Sequence, residues 1–408
     1  MIAATEKSIQ IIEEGHITSP KGFTAGGVHC GLRRTKLDFG WIHSAIPAAA
    51  AGVYTLNSFQ AAPLKVTKNS LEKSKKLQTV VVNSANANAC TGEQGYIDAL
   101  EMQKLASEKM GVQTDHVAVS STGLIGVPLP MDRIRSGINL LGNEASTSPE
   151  HFEKAILTTD TVTKHFAVQV EIQGKMITIG GAAKGSGMIQ PNMATMLSFI
   201  TTDAQVEQES LQNALKAATD NSFNMISVDG DCSTNDMVLV LANGMQGNEP
   251  LHESHPEWKV FFEAFQTVCQ GLAKLIAKDG EGASKLIEVN VIGASTEIAA
   301  RQVAKAVISS NLVKTAIYGA DPNWGRIVCA VGYSEQPIDV EKIGVSLGEI
   351  EVVKNGLPLD FNEEEGKGYL DNETVKLIVD LNNGNYEATA WGCDLTYDYI
   401  KINASYRT

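Results

Sequence analysis

The chain has 408 residues, 43% hydrophobic and 20% charged, with 33 Lys plus Arg against 47 Asp plus Glu and a formal net charge of −14. That is a globular balance, long enough for two or three domains or one large α/β unit. It argues against a nucleic-acid binder, which needs clustered positive charge.

The amino terminus, MIAATEKSIQIIEEGH, lacks the basic start and unbroken apolar run of a signal peptide, so a cytoplasmic location is expected. The most apolar stretch, Ala45 to Val53, contains Pro47 and falls far short of the roughly 20 residues that cross a bilayer. Leu77–Val82 is a short apolar run that ends in a small-residue polar loop, NSANANACTG. Val168, Val170 and Ile172 alternate with polar residues before Gly174 turns the chain into Met176–Ile179, which predicts a hairpin. Helical spacing follows at Leu211, Ala214, Leu215 and Ala218, at Phe261, Phe265, Val268 and Leu272, and at Ala299, Val303, Ala306 and Val307. Between the last two, Ile287, Val289 and Val291 alternate as a half-buried strand. These patterns predict a mixed α/β protein of layered sheets and helices, with no linker between separate domains.

Several familiar patterns fail on inspection. GGAAKGSGM at Gly180–Met188 has Lys184 before Gly185, the reverse of a phosphate loop, and runs on to Pro191. VDGDCSTND at Val228–Asp236 starts like a calcium loop, but Thr234 stands where glycine is required and Val240 where a carboxylate is required. The six cysteines are scattered singly, and the eight histidines have no metal-ligand spacing, so neither a disulfide framework nor a metal site is expected. Each cysteine is expected to be a small buried hydrophobe.

What remains is KGSGMIQPNMATMLSFITTDA, Lys184 to Ala204. A Gly-, Pro- and Asn-rich loop meets an apolar strand at the Ala194–Thr195 junction. On local pattern alone Thr195 is a β-branched residue beginning a strand. The chemical alternative is a self-made nucleophile. A hydroxyl needs a base to take its proton, and an N-terminal threonine carries one, an α-amine of pKa about 7.7–8.0. An internal threonine has only an amide there, so the bond before Thr195 must first break, through an N-to-O acyl shift. Hydrolysis of the resulting ester by water would leave two chains, 1–194 and 195–408.

KGSGMIQPNMATML resembles the self-cleavage signature of the ornithine acetyltransferase family of arginine biosynthesis. VNSANANACTGEQG (82–95), SSTGLIGVPLP (120–130), TTDT (158–161), SVDGDCSTND (227–236), DGEGASK (279–285), YGADPNWGRI (318–327) and YIKINASYRT (399–408) resemble further family blocks, in family order along nearly the whole chain. The resemblance implies a layered α/β fold with N-terminal-nucleophile chemistry. It implies cleavage between Ala194 and Thr195, with Thr195 as nucleophile and Thr122 and Gly123 as the oxyanion pair. Substrate-binding positions are implied at Thr158, Lys184, Thr195, Glu281, Asn403 and Thr408. The implied reaction moves an acetyl group from N-acetylornithine through Thr195 to glutamate, without metal or organic cofactor. Acetyl-CoA is a further donor in some family members, and the fragments are expected to assemble as two of each. The residues alone leave open a self-processing amidase or aminopeptidase that passes the acyl group to water, and a non-catalytic binding protein. The blocks at 227–236 and 318–327 receive no role. If Asn403 and Thr408 line the substrate pocket, the carboxyl-terminal residues must be docked.

Overall fold

A computed structural model describes residues 9–190 and 196–405. Ala194, Thr195 and Thr408 lie outside the described residues. The chain divides into two compact units, each discontinuous in sequence: the first holds residues 1–185, 192–220 and 232–272, the second residues 186–191, 221–231 and 273–408. These are divisions of packing. Each unit draws on both sides of the Ala194–Thr195 junction, so neither coincides with a fragment of 194 or 214 residues.

The first unit is built on a nine-stranded sheet. Its order runs Gln10–Ile11, Lys164–Ile172, Lys175–Lys184, Leu197–Thr202, Met237–Ala242, Phe39–Tyr54, Lys76–Asn83 and Val117–Ser121, with Phe23–Val28 paired to Phe39–Tyr54 as a branch. The hairpin expected at Gly174 is present: Ile172 faces Lys175, and both turn residues, Gln173 (φ 54°) and Gly174 (φ 71°), are left-handed as a tight two-residue hairpin requires. The alanine-rich stretch with Pro47 lies inside the 16-residue strand Phe39–Tyr54. Its pairing with Lys76–Asn83 breaks register between His43 and Ala48, around Pro47, which has no N–H to give the ladder.

The continuous apolar run before Asn83 follows from burial on both faces. Val80 and Val82 join a core with Ile42, Phe152, Ile156, Phe199 and Leu239, whereas Val81 joins a second core with Trp41, Val66, Met102, Ile134 and Ile138. The helix Pro149–Ile156 therefore covers one face, and the helices Ala62–Ser74, Gly92–Met110 and Met131–Asn139 cover the other. The stripe Leu211, Ala214, Leu215, Ala218 is the buried face of the helix Gln208–Asp220.

The second unit has a seven-stranded sheet, ordered Leu357–Pro358, Ile350–Lys354, Gly344–Leu347, Thr374–Asp380, Leu286–Ala294, Tyr386–Cys393 and Ile226–Ser227. Ile287, Val289 and Val291 are fully buried in its middle, as their alternation predicts. The helix Glu297–Ser309 packs on this sheet through Ala299, Val303 and Val307, while Ala306 is only half-buried and Ala300 and Ala304 are buried beside the stripe.

All six cysteines are free, in line with their spacing. The expectation that each is buried holds for Cys269 and Cys393 only, because Cys90, Cys232 and Cys329 are exposed and Cys30 is half-buried. Cys90 and Cys232 lie in the polar loops Asn83–Gly92 and Val228–Asp236.

Candidate active site

Thr122 and Gly123 follow the edge strand Val117–Ser121 and lie against the loop Asn83–Gly92. The Thr122 amide donates to the Asn83 carbonyl (3.0 Å), Leu124 to Ala85 (3.1 Å) and Ala87 back to Leu124 (2.9 Å). Gly123 has φ +134°, and a Cβ there would fall 2.2 Å from the Ala85 carbonyl carbon, so only glycine fits. The supporting loop is itself strained: Ala85, Asn88 and Cys90 have φ of 72°, 46° and 55°. Each such residue costs on the order of 1–3 kcal/mol and persists only where its surroundings over-determine it.

Those surroundings are side-chain amides. Asn86 Nδ2 donates to the Val127 and Pro128 carbonyls (both 3.0 Å), and Asn83 Nδ2 to the Asn86 carbonyl (2.9 Å). Asn235 Nδ2 donates to the Ala87 (2.5 Å) and Ser121 (2.8 Å) carbonyls, so it bridges the supporting loop to the residue before Thr122. The block at 227–236 thus acquires a part in holding Thr122.

Lys184 ends the strand Lys175–Lys184, and its buried ammonium reaches two threonines distant in sequence. Nζ donates to Thr158 Oγ1 (2.8 Å) and to Thr122 Oγ1 (3.4 Å). Thr158 is held from both sides: Arg33 donates to the Leu157 (2.9 Å) and Thr158 (3.1 Å) carbonyls, while the Thr158 amide donates to Asp160 Oδ2 (2.9 Å). Asp160 is the hub. Its Oδ1 accepts from Lys164 Nζ (2.7 Å) and the Gly185 amide (2.6 Å), and its Oδ2 also accepts from Thr158 Oγ1 (3.5 Å). The Asp160 and Lys164 side chains are fully buried. Burial opposes the charge on Asp160, but Lys184 and Lys164, with the hydrogen bonds that Lys164 and Thr158 provide, hold its carboxyl well below the usual range.

The second unit carries its own polar cluster. Glu281 lies in the loop before the strand Leu286–Ala294, its amide on the Ser186 carbonyl (3.0 Å) and its Oε2 accepting from Asn403 Nδ2 (2.7 Å). A Cβ on Gly187 would fall 2.3 Å from Glu281 Cδ, so the carboxylate packs straight onto backbone. Asp394 pins the rest of DGEGASK by accepting from the Ser284 (2.8 Å) and Lys285 (2.9 Å) amides. Asp229 does the same for the segment that leads toward the junction, accepting from the Met188 (2.6 Å) and Ile189 (2.8 Å) amides and from the Tyr399 hydroxyl (3.3 Å). Burial, then the Asp229 charge, pushes the Tyr399 phenol well above its ordinary value. Asn403 stands on the helix Tyr397–Ala404, capped by Thr396 Oγ1 on the Asp398 amide.

The structure therefore brings Thr122, Thr158 and Lys184 together in the first unit, and Glu281 and Asn403 together in the second. One residue beyond Thr195, Met196 is buried, and its carbonyl accepts from the Met237 amide (3.0 Å). Among the described residues no cluster of three His, Cys, Asp or Glu is arranged to hold a metal ion, and no helix is long and apolar enough to cross a membrane. Asp160, Asp229, Asn235 and Asp394 escape sequence reading as functional residues. The available signal was an Asp or Asn among small polar residues just outside a strand, a pattern in which the side chain serves backbone donors and acceptors.

The ArgJ family matches residues 24–408 of the chain. The arginine biosynthesis bifunctional protein ArgJ of Oceanobacillus iheyensis is 64% identical over 408 residues, covering all of both chains. The chain belongs to the ArgJ family. The protein of the same name from Geobacillus kaustophilus is 55% identical over 410 residues, again across both whole chains. A crystal structure of arginine biosynthesis bifunctional protein ArgJ from Bacillus halodurans is 54% identical and matches with a TM-score of 0.51, covering 52% of this chain and all of that one. Membership bears out the resemblance seen in the sequence blocks: this is a transferase of amino-acid biosynthesis, of the ornithine acetyltransferase (glutamate N-acetyltransferase) family.

Proposed function

We propose that the chain cleaves itself between Ala194 and Thr195 and then carries an acetyl group from N-acetylornithine to glutamate on the Thr195 hydroxyl. The freed α-amine of Thr195 takes the hydroxyl proton, and the oxygen attacks the acetyl carbonyl. Thr122 Oγ1–H and the Gly123 amide stabilise the oxyanion, a contribution of about 100- to 1,000-fold per donor. Ornithine leaves with the proton, and an acetyl ester remains on Thr195. The α-amine of glutamate then attacks that ester and departs as N-acetylglutamate, regenerating the hydroxyl. Lys184 and Thr158 are assigned to the substrate carboxylate, and Glu281, Asn403 and Thr408 to its ammonium and polar groups. No metal or organic cofactor enters the scheme.

The observation that carries this reading is the loop at Thr122–Gly123, where a glycine that admits no side chain follows a threonine whose hydroxyl meets a buried ammonium. Acetyl-CoA as a second donor, a cytoplasmic location and an assembly of two copies of each fragment belong to the same proposal. The test is intact mass and amino-terminal sequencing, with N-acetylornithine turnover followed with and without glutamate. Two fragments, the second beginning at Thr195, and glutamate-dependent N-acetylglutamate are expected; Thr195→Ala stays whole and inactive. A single chain of 43.6 kDa would overturn self-processing. Equal ornithine release without glutamate, and no N-acetylglutamate, would make it a hydrolase.

A further inference from the structure

Thr122 Oγ1 accepts a hydrogen bond from Lys184 Nζ (3.4 Å). A hydroxyl has one proton and two acceptor sites, so a threonine that accepts from an ammonium turns its own proton to another direction, and the nearby charge polarises that proton. What sets the ammonium there is a second threonine. Thr158 Oγ1 accepts from Lys184 (2.8 Å) and donates to Asp160 Oδ2 (3.5 Å). The path therefore runs carboxylate, hydroxyl, ammonium, hydroxyl, across three separate stretches of the chain.

We propose that Asp160 is a positioning residue for the oxyanion donor: through Thr158 it aims Lys184 at Thr122, and so orients the hydroxyl that must meet the developing negative charge. The inference rests on the reaction proposed above and adds a residue to it. Asp160 touches no substrate in this scheme. Its buried partner Lys164 (2.7 Å) balances the carboxylate from the far side and lies off the path to Thr122.

Two variants break the same buried ion pair from opposite ends. Asp160→Asn must turn a donor toward one of the amides of Gly185 and Thr158, and it disconnects Lys184. Lys164→Met leaves the carboxylate on Thr158 and both amides. If the pair were merely structural, both variants would lose stability and activity alike, since removing one partner of a buried pair is strongly destabilising from either end. As a positioning residue, Asp160 gives a different outcome, measured well below either melting temperature. Asp160→Asn loses about 10-fold or more in kcat, within the range of coupling between contacting residues, and Lys164→Met keeps kcat within about twofold of wild type. Equal loss in both variants, or none in Asp160→Asn, overturns the inference.

Thr158→Val tests the same path if Asp160→Asn does not fold: it cuts the hydroxyl link, so kcat falls, and Thr158→Ser recovers part of that loss. A change confined to KM, as a role in substrate binding alone would give, overturns the inference. A readout independent of the reaction is the Lys184 Nζ signal in 15N-lysine-labelled protein, identified by its absence in Lys184→Met. Its protons exchange slowly in wild type and in Lys164→Met, and fast in Asp160→Asn. Unchanged exchange in Asp160→Asn overturns the inference whatever the enzyme does. The expected exchange pattern in a protein that transfers no acetyl group instead overturns the proposed reaction and leaves the positioning role standing.

Discussion

The two polar clusters are built on different principles. Around Lys184, the fully buried Asp160 carboxylate is met by a buried lysine and by two backbone amides, and the groups belong to strands and to a segment clamped by Arg33. Around Glu281 the backbone is pinned just as firmly, by Ser186 and Asp394, yet the carboxylate's partner Asn403 stands on a helix with no buried residue. The first cluster is pre-organised before any ligand arrives, which suits charge that develops during a reaction. The second offers a fixed carboxylate with a partner that can adjust, which suits recognition.

Three measurements would break or sharpen that contrast. Gly123→Ala places a methyl group 2.2 Å from the Ala85 carbonyl carbon, at a φ that L-residues rarely adopt. The loop must move, and kcat is expected to fall by about 100-fold or more; a variant with near wild-type kcat would show that the loop is not rigid. The next is acid stability. Asp160 is held below the ordinary aspartate value, so its contribution is fully present above the unfolded pKa of about 3.9. It is lost only as pH falls below that value toward the lower folded one. The difference in unfolding free energy between wild type and Asp160→Asn should therefore be flat from neutrality to about pH 5 and shrink below about pH 4. A difference that already shrinks at pH 6 contradicts the assignment. The smallest effect is expected for Asn403→Ala, which removes two hydrogen bonds of an exposed side chain, to Glu281 Oε2 and to the Tyr399 carbonyl: KM for N-acetylornithine rises by about 10-fold or less, with kcat unchanged. A fall in kcat instead would tie the second cluster to the chemical step as closely as the first.

Much of this was legible from residue pattern, and the reasons are local. The hairpin at Gly174 and the helical stripes are short-range signals, and they appear where their periods placed them, apart from the half-buried Ala306. The strand Phe39–Tyr54 was hidden because an alanine-rich run around Pro47 shows no alternation. Sheet order was not readable at all, since the partners of Met237–Ala242 lie about 40 and nearly 190 residues earlier in the chain. At the site, Thr122, Thr158 and Lys184 were nominated through family blocks, and only the fold shows that they touch. Asp160 stood inside one of those blocks without a role, because a buried carboxylate takes its meaning from the two lysines folded against it. Exposed Cys90 and Cys232 show the opposite failure, in which residue type outweighed the polarity of the surrounding loop.

The position of Met237–Ala242 between Phe39–Tyr54 and Leu197–Thr202 has a consequence for how the molecule is made. A ribosome releases Phe39–Tyr54 long before the strand that joins it to Leu197–Thr202, and Leu197–Thr202 itself about 40 residues before that strand. Until residue 242 emerges, Phe39–Tyr54 and Leu197–Thr202 each present an open edge, the kind of surface on which chains pair wrongly. The sheet, and the Met237 amide that holds Met196, are completed by the same late strand. Closure of the scaffold and anchoring of the segment after Thr195 are therefore one event in synthesis, and a nascent chain stopped before it lacks both.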